Sequence, residues 1–160
     1  MILYACRRLA AASFLVLMPM AALAAPLVPG SALPSLALEN QHGLPMTVGA
    51  DTRVVLFSAQ KATSALVNEV LAADKTQRPP AVVHVADISG MPSVITRMFA
   101  LPKLRELGFD VALAYKPEAA GGLPRRQDAV TVVHVRGGKV DRIAYVADAA
   151  ALRAQLAARP

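Results

Sequence analysis

The chain has 160 residues, 17 Lys and Arg against 11 Asp and Glu, a formal charge of +6, one cysteine and no tryptophan. That length allows one domain with a substantial core. The basic residues are scattered and carry no interleaved aromatics, which argues against a nucleic-acid surface, and a lone cysteine excludes a disulfide framework.

Met1–Ala24 reads as a secretory signal peptide. Arg7 and Arg8 form its basic start, Leu9–Met18 its apolar run, and Ala22-Leu23-Ala24 a small-x-small cleavage site. The apolar span is short for a bilayer and contains Pro19, which disfavours an uncleaved anchor. Cleavage would remove Cys6 with both arginines. The mature chain would then carry 15 basic and 11 acidic residues, a charge of +4, and no thiol. The expected location is the periplasm, with no stable membrane insertion after cleavage and neither a nucleic-acid partner nor a bound cofactor.

Residues 25–33 are spaced by Pro and Gly and suggest a flexible lead-in to a domain over 34–158. Leu36–Leu38 and Met46–Val48 flank a polar, Gly-containing turn, the pattern of a small hairpin. Val54–Phe57 is a continuous apolar run, as in a strand buried on both faces. After Ser58–Lys61 turns the chain, Leu66, Val67, Val70 and Leu71 recur at helical spacing over 62–74. Gln77-Arg78-Pro79-Pro80 stops that helix. Ala81–Asp87 is a second apolar run, so strand, helix and strand form a parallel right-handed crossover.

Pro92 is placed to open the next helix. Val94, Ile95, Met98 and Phe99 form its apolar face, expected with Met91 to pack in the core, and Pro102 should break or kink it. Phe109–Tyr115 alternates like a short strand. Lys116–Asp128 reads as a loop carrying Gly121-Gly122 and Arg125-Arg126. Thr131–Val135 and Val140–Val146 are joined through Gly137-Gly138, a two-residue hairpin turn. Asp148 can cap a last helix reaching Leu156.

Two stretches resemble the thioredoxin-like family, in particular its exported peroxiredoxin and thiol-reductase branch. Arg53–Ala65 has the strand, turn and helix start that carry a Cys-x-x-Cys dithiol there, and Ala62-Thr63-Ser64-Ala65 stands at the matching positions. Val130-Thr131-Val132-Val133 stands where the family has a cis-proline, threonine and an apolar strand, and Arg136–Val140 matches the turn that follows. The resemblance spans Leu33 to Leu156. It implies an α/β fold with a central mixed sheet, a parallel βαβ unit followed by a C-terminal antiparallel hairpin, flanked by helices. It also implies that both cysteines (Ala62, Ala65) and the cis-proline (Val130) are lost. A cis bond at a non-proline costs about 3–4 kcal/mol, so Val130 is expected trans.

Chemistry is sparse elsewhere. His84 and His134 fall in strands flanking Val54–Phe57. A metal pair lacks a third nitrogen or sulfur ligand, and hydrogen-bonded core histidines fit better. His42 sits in an exposed turn. Asp87 and Ser89 lie at the C-terminal end of a parallel strand, where ligands bind in open α/β sheets, although capping the helix after Gly90 is the favoured reading. Ser58, Lys61, Thr63 and Ser64 line the former dithiol position, and no His–acid pair is placed to make Ser64 a nucleophile. Gly121-Gly122 with Arg125 and Arg126 could hold an anion but match no phosphate-loop spacing, so a solvated loop is expected. Both arginines are expected to serve a partner more than the fold. No residue is assigned a catalytic or metal-binding role. The expected role is a non-catalytic binding, accessory or scaffold protein for another envelope protein. The alternative is an oxidoreductase using a flavin or quinone without a dithiol.

Overall fold

The computed structural model describes residues 26–74 and 81–158. The leader Met1–Ala24 and the helix stop at Gln77–Pro80 lie outside the described residues.

The chain opens with the hairpin β1 (Leu36–Asn40) and β2 (Pro45–Val48). Asn40 Oδ1 closes its turn by accepting from the backbone N–H groups of His42 and Leu44, both at 2.9 Å. Then come β3 (Val54–Ser58), α1 (Lys61–Ala73) and β4 (Val82–Asp87). A helical stretch follows, made of α2 (Ser93–Ile95), a π turn over Thr96–Ala100 and α3 (Leu101–Arg105). Strands β5 (Val111–Ala114), β6 (Val130–Arg136) and β7 (Lys139–Val146) and helix α4 (Ala149–Ala157) complete the domain. The sheet order is β2-β1-β5-β4-β3-β6-β7. β3, β4 and β5 are parallel, while β6, β7 and β1 are antiparallel to their neighbours.

The parallel crossover, both hairpins and the capped last helix stand where the sequence puts them. Asp148 Oδ1 accepts from the Ala151 N–H at 2.8 Å, and Gly137 and Gly138, at φ 57° and 75°, make the turn that L-residues rarely adopt. β5 departs from expectation. It does not alternate, because all of Val111–Ala114 is buried between β4 and β1.

The two faces of the sheet are covered differently. On one face Val67, Val70 and Leu71 of α1 and Leu152 and Leu156 of α4 pack with Leu56, Val82 and Val132, and Leu101 and Leu104 of α3 join them. The other face carries no α-helix among the described residues. Leu27, Leu33, Ala120 and Leu123 close it over Val55, Phe57, Val85 and Val133. Stretches expected to be flexible are therefore docked. Residues 26–33 bury Leu27 and Leu33 and bond to the last hairpin, with Gly30 N–H donating to Val140 O at 2.7 Å and Leu33 N–H to Gly138 O at 2.9 Å. The loop after β5 contains a 3-10 turn, Pro117–Ala120. Gly121 ends it at φ 59°, where a Cβ would lie 2.2 Å from a Leu36 methyl. That glycine is used for close packing rather than as an anion cradle.

The 93–105 stretch also departs from expectation. Val94, Ile95, Met98 and Phe99 are 61, 43, 64 and 57% exposed, and Met91 is only half-buried. Only Thr96 is buried in α2 and the π turn. Pro102 cannot donate a backbone hydrogen bond and its ring crowds the carbonyl four residues earlier. The helix widens ahead of it, with the Leu101 N–H reaching Thr96 O.

His84 and His134 are both fully buried and lie opposite Leu56 and Val54 on the two neighbours of β3. Each has its own partners. His84 Nε2 is 2.8 Å from Ser58 Oγ, and His134 Nε2 is 3.2 Å from both Gln155 Oε1 and an Arg142 nitrogen. Burial lowers the His84 pKa to about 3, and burial, reinforced by the Arg142 charge, lowers that of His134. A histidine that stays neutral in the fold stabilises fully above its unfolded pKa, about 6.5, and the contribution is lost as pH falls toward the folded value. Stability should therefore decline below about pH 6.5, with His84 contributing up to about 1.4 kcal/mol per pH unit. Urea midpoints measured between pH 7 and 4 should show a shallower slope in a Ser58→Ala/His84→Leu variant. An unchanged slope would mean that His84 is not held neutral in the core.

Candidate functional site

The β4 strand ends at Asp87 beside the start of α1, as a parallel crossover requires. Lys61, Asp87, Ser89 and Arg125 meet there with Gln60 and Met91 around a cleft of about 450 Å3. Four of the expected residues thus share one place. Ser58 is buried against His84 instead. Thr63 is buried too, its Oγ1 donating to Gln60 O at 2.9 Å and accepting from the Gln60 N–H at 3.3 Å, which ties down the helix start. Ser64 is half-buried and lines a neighbouring groove. Arg126 points elsewhere, with its guanidinium 5.1 Å from the centre of the Tyr145 ring. Ala62 and Ala65 are both exposed on the first turns of α1. Val130 is fully buried and pairs with Val146.

Asp87 organises the cleft. Its side chain is 4% exposed and is ion-paired with Arg125. Its Oδ1 accepts from the Ser89 N–H at 2.9 Å. This closes a turn within the loop, whereas the helix itself starts from Pro92 without a side-chain cap. Burial raises the cost of charging Asp87, but the Ser89 and Arg125 hydrogen bonds outweigh it and hold the carboxyl below its usual range. The Arg125 guanidinium also lies 5.3 Å from the centre of the Phe57 ring. Arg125 therefore holds a buried carboxylate and a core aromatic together, which is a structural role the sequence did not suggest.

Gln60 was not singled out in the sequence. Its Oε1 accepts from the Asp128 N–H at 2.8 Å, joining the start of α1 to the segment entering β6. Asp128 adopts φ 55° there, a conformation that Asp tolerates better than most residues. A glutamine in a polar turn gives no periodic signal, so only the fold could identify this contact. The arrangement offers a fixed, neutralised ion pair and, among the described residues, one lysine without an ion-pair partner. Among the described residues it holds no nucleophile with an activating base.

Arg125→Ala should cost about 1 kcal/mol at neutral pH, since it strands a buried carboxylate while half the guanidinium was already solvated. Arg126→Ala should stay within about 0.5 kcal/mol. The Arg125 cost should shrink below about pH 4, because a carboxylate with a depressed pKa loses its stabilising charge as pH falls through the folded value. Chemical denaturation of both single variants checks this, and equal effects of the two would contradict it.

No protein-family model matches the chain, and no curated protein sequence matches it. Solved structures do. A putative protein disulfide isomerase from Bacteroides thetaiotaomicron is 15% identical, with 82% of this chain and 89% of that one covered and a TM-score of 0.55. A putative thiol:disulfide interchange protein DsbE from Chlorobium tepidum is 21% identical, with 82% and 97% covered and a TM-score of 0.54. The peroxidoxin BcpB from Mycobacterium tuberculosis is 14% identical, with 81% and 95% covered and a TM-score of 0.55. With its parallel β3-α1-β4 unit, mixed sheet and antiparallel last hairpin, the chain has the thioredoxin-like fold of these peroxiredoxin and thiol–disulfide proteins.

Proposed function

We propose that this is an exported, non-redox thioredoxin-like protein that serves in the periplasm as a binding or scaffold partner of another envelope protein. One observation carries the reading: alanine occupies both positions, 62 and 65, where the resemblance expects the dithiol, and the only cysteine, Cys6, falls in the proposed leader. A domain without a thiol cannot exchange disulfides. The cleft beside α1 supports binding rather than turnover, because its carboxylate is already committed to Arg125. Val130 at the proline position fits the same loss.

The direct test uses the mature protein purified from its own envelope. It should be colourless, take up no flavin, reduce no disulfide substrate and retain a protein partner through stringent washing. A yellow preparation, or one that binds flavin stoichiometrically, would favour the cofactor-dependent oxidoreductase instead.

A second test restores the lost chemistry. Ala62→Cys/Ala65→Cys places cysteines three residues apart in the first turns of α1, within the roughly 4.4–6.8 Å Cα separation a disulfide needs. The helix start and the neighbouring Lys61 should favour thiolate at position 62. Thiol titration of the monomer after mild oxidation should find no free thiol. Slow disulfide reduction should appear, and adding Val130→Pro should raise it. If both thiols stay free, the alanines do not occupy a dithiol geometry and the non-redox reading loses its basis.

A further inference from the structure

A groove of about 380 Å3 runs between α1 and the 93–105 helical stretch, next to the Asp87 cleft. Its floor and walls include Ala65, Ala86, Ile88, Ile95, Phe99 and Leu104. Ile95 and Phe99 also belong to the exposed stripe with Val94 and Met98, so groove and stripe form one apolar surface. Contiguous exposed apolar area of this kind marks an interaction site more often than scattered single residues do.

The unpaired charges lining it have one sign. Lys61 on α1 and Lys103 on α3 line opposite walls, and neither has an ion-pair partner among the described residues. Arg97 is exposed on the same helical stretch. Among the described residues Asp87 is the only carboxylate lining the groove, and Arg125 neutralises it. Asn68 also lines the groove, and its Oδ1 is buried without a hydrogen-bond partner among the described residues.

We infer that this groove is the docking surface for a helical segment of a partner protein that presents an apolar face flanked by carboxylates. The inference rests on the binding-protein reading above and names the surface and the chemistry of the partner. A small amphipathic acid would fill the groove but leave Val94 and Met98 in water. A helical segment covers groove and stripe together, in the helix-in-groove manner. A second copy of this chain fits less well, because an isologous contact brings the lysine rims toward each other.

The probe is a fluorescein-labelled peptide of roughly 16 residues, with Leu and Phe at i, i+3, i+4 and i+7 and Glu on both flanks. A counterpart carries Lys for Glu, and dodecanoate represents the small acid. Anisotropy titrations of the mature protein at low salt should give binding of the Glu peptide at least about tenfold tighter than the Lys peptide, with the advantage shrinking as salt screens the rims. Lys61→Glu/Lys103→Glu should reverse the preference. Met98→Ser/Phe99→Ser should weaken binding by at least about tenfold, with circular dichroism and melting unchanged because both side chains are exposed.

Equal affinity for the two peptides, or no loss in the groove variants, would overturn the inference. So would dodecanoate binding with no binding of the Glu peptide, which would assign the groove to a small acid. A photoreactive residue in place of Phe99, and separately of Tyr145, separates this failure from failure of the accessory reading. Capture of an envelope protein from position 145 alone would keep that reading and overturn the groove. No capture from either position would count against the accessory reading itself.

Discussion

Every residue of β3 is buried, and so are all but the last residues of its two neighbours, so both faces of the sheet need apolar cover. The hydrophobic effect alone demands this, because each exposed Val, Leu or Phe there would forgo roughly 1.5–3 kcal/mol. One face receives α1, α3 and α4. The other is covered without an α-helix among the described residues, by the segment before β1 and the loop after β5. Two regions with the composition of loops thereby become part of the core. The lead-in is held by backbone bonds to the last hairpin, and the loop by Ala120, Leu123 and the tight approach of Gly121 to Leu36.

The same constraint shapes the cleft. Because β4 is buried along its length, the chain first meets solvent at Asp87, and the carboxylate there is still mostly covered. A charge in that position is tolerated only with close donors. Ser89 and Arg125 supply them, and Arg125 brings the otherwise distant 116–128 loop across the end of β3 onto Phe57. Gln60 makes a parallel tie between the start of α1 and Asp128. The start of α1 and the end of β4 are thus braced by polar contacts.

The histidines illustrate a different balance. Burying a polar ring in an apolar layer is unfavourable unless it is bonded. Ser58 provides that bond at Nε2 of His84, and either Gln155 or Arg142 provides it at Nε2 of His134, while Nδ1 of each ring is buried with no partner among the described residues. Burial lowers both pKa values, so both rings are neutral at physiological pH.

By itself, the sequence determined the parallel crossover, both hairpins and the cap at Asp148, because each depends on local periodicity or on a turn residue read within a few positions, whereas the thioredoxin-like architecture was implied by the family resemblance of Arg53–Ala65 and Val130–Val133. It also placed Asp87 and Ser89 at the C-terminal end of a parallel strand, while the meeting of Lys61 and Arg125 with them there is a tertiary result. Tertiary structure decided the rest. Helical spacing at Val94, Ile95, Met98 and Phe99 defines an apolar face but not what it faces, and the sheet was already covered by α1, α3 and α4. Burial of Ser58 and Thr63, the division of labour between Arg125 and Arg126, and the docking of Leu27 and Leu123 depend on contacts between segments far apart in the chain. Such contacts leave no periodic trace, since any residue of suitable size and polarity satisfies them, and only the folded chain selects the pairs.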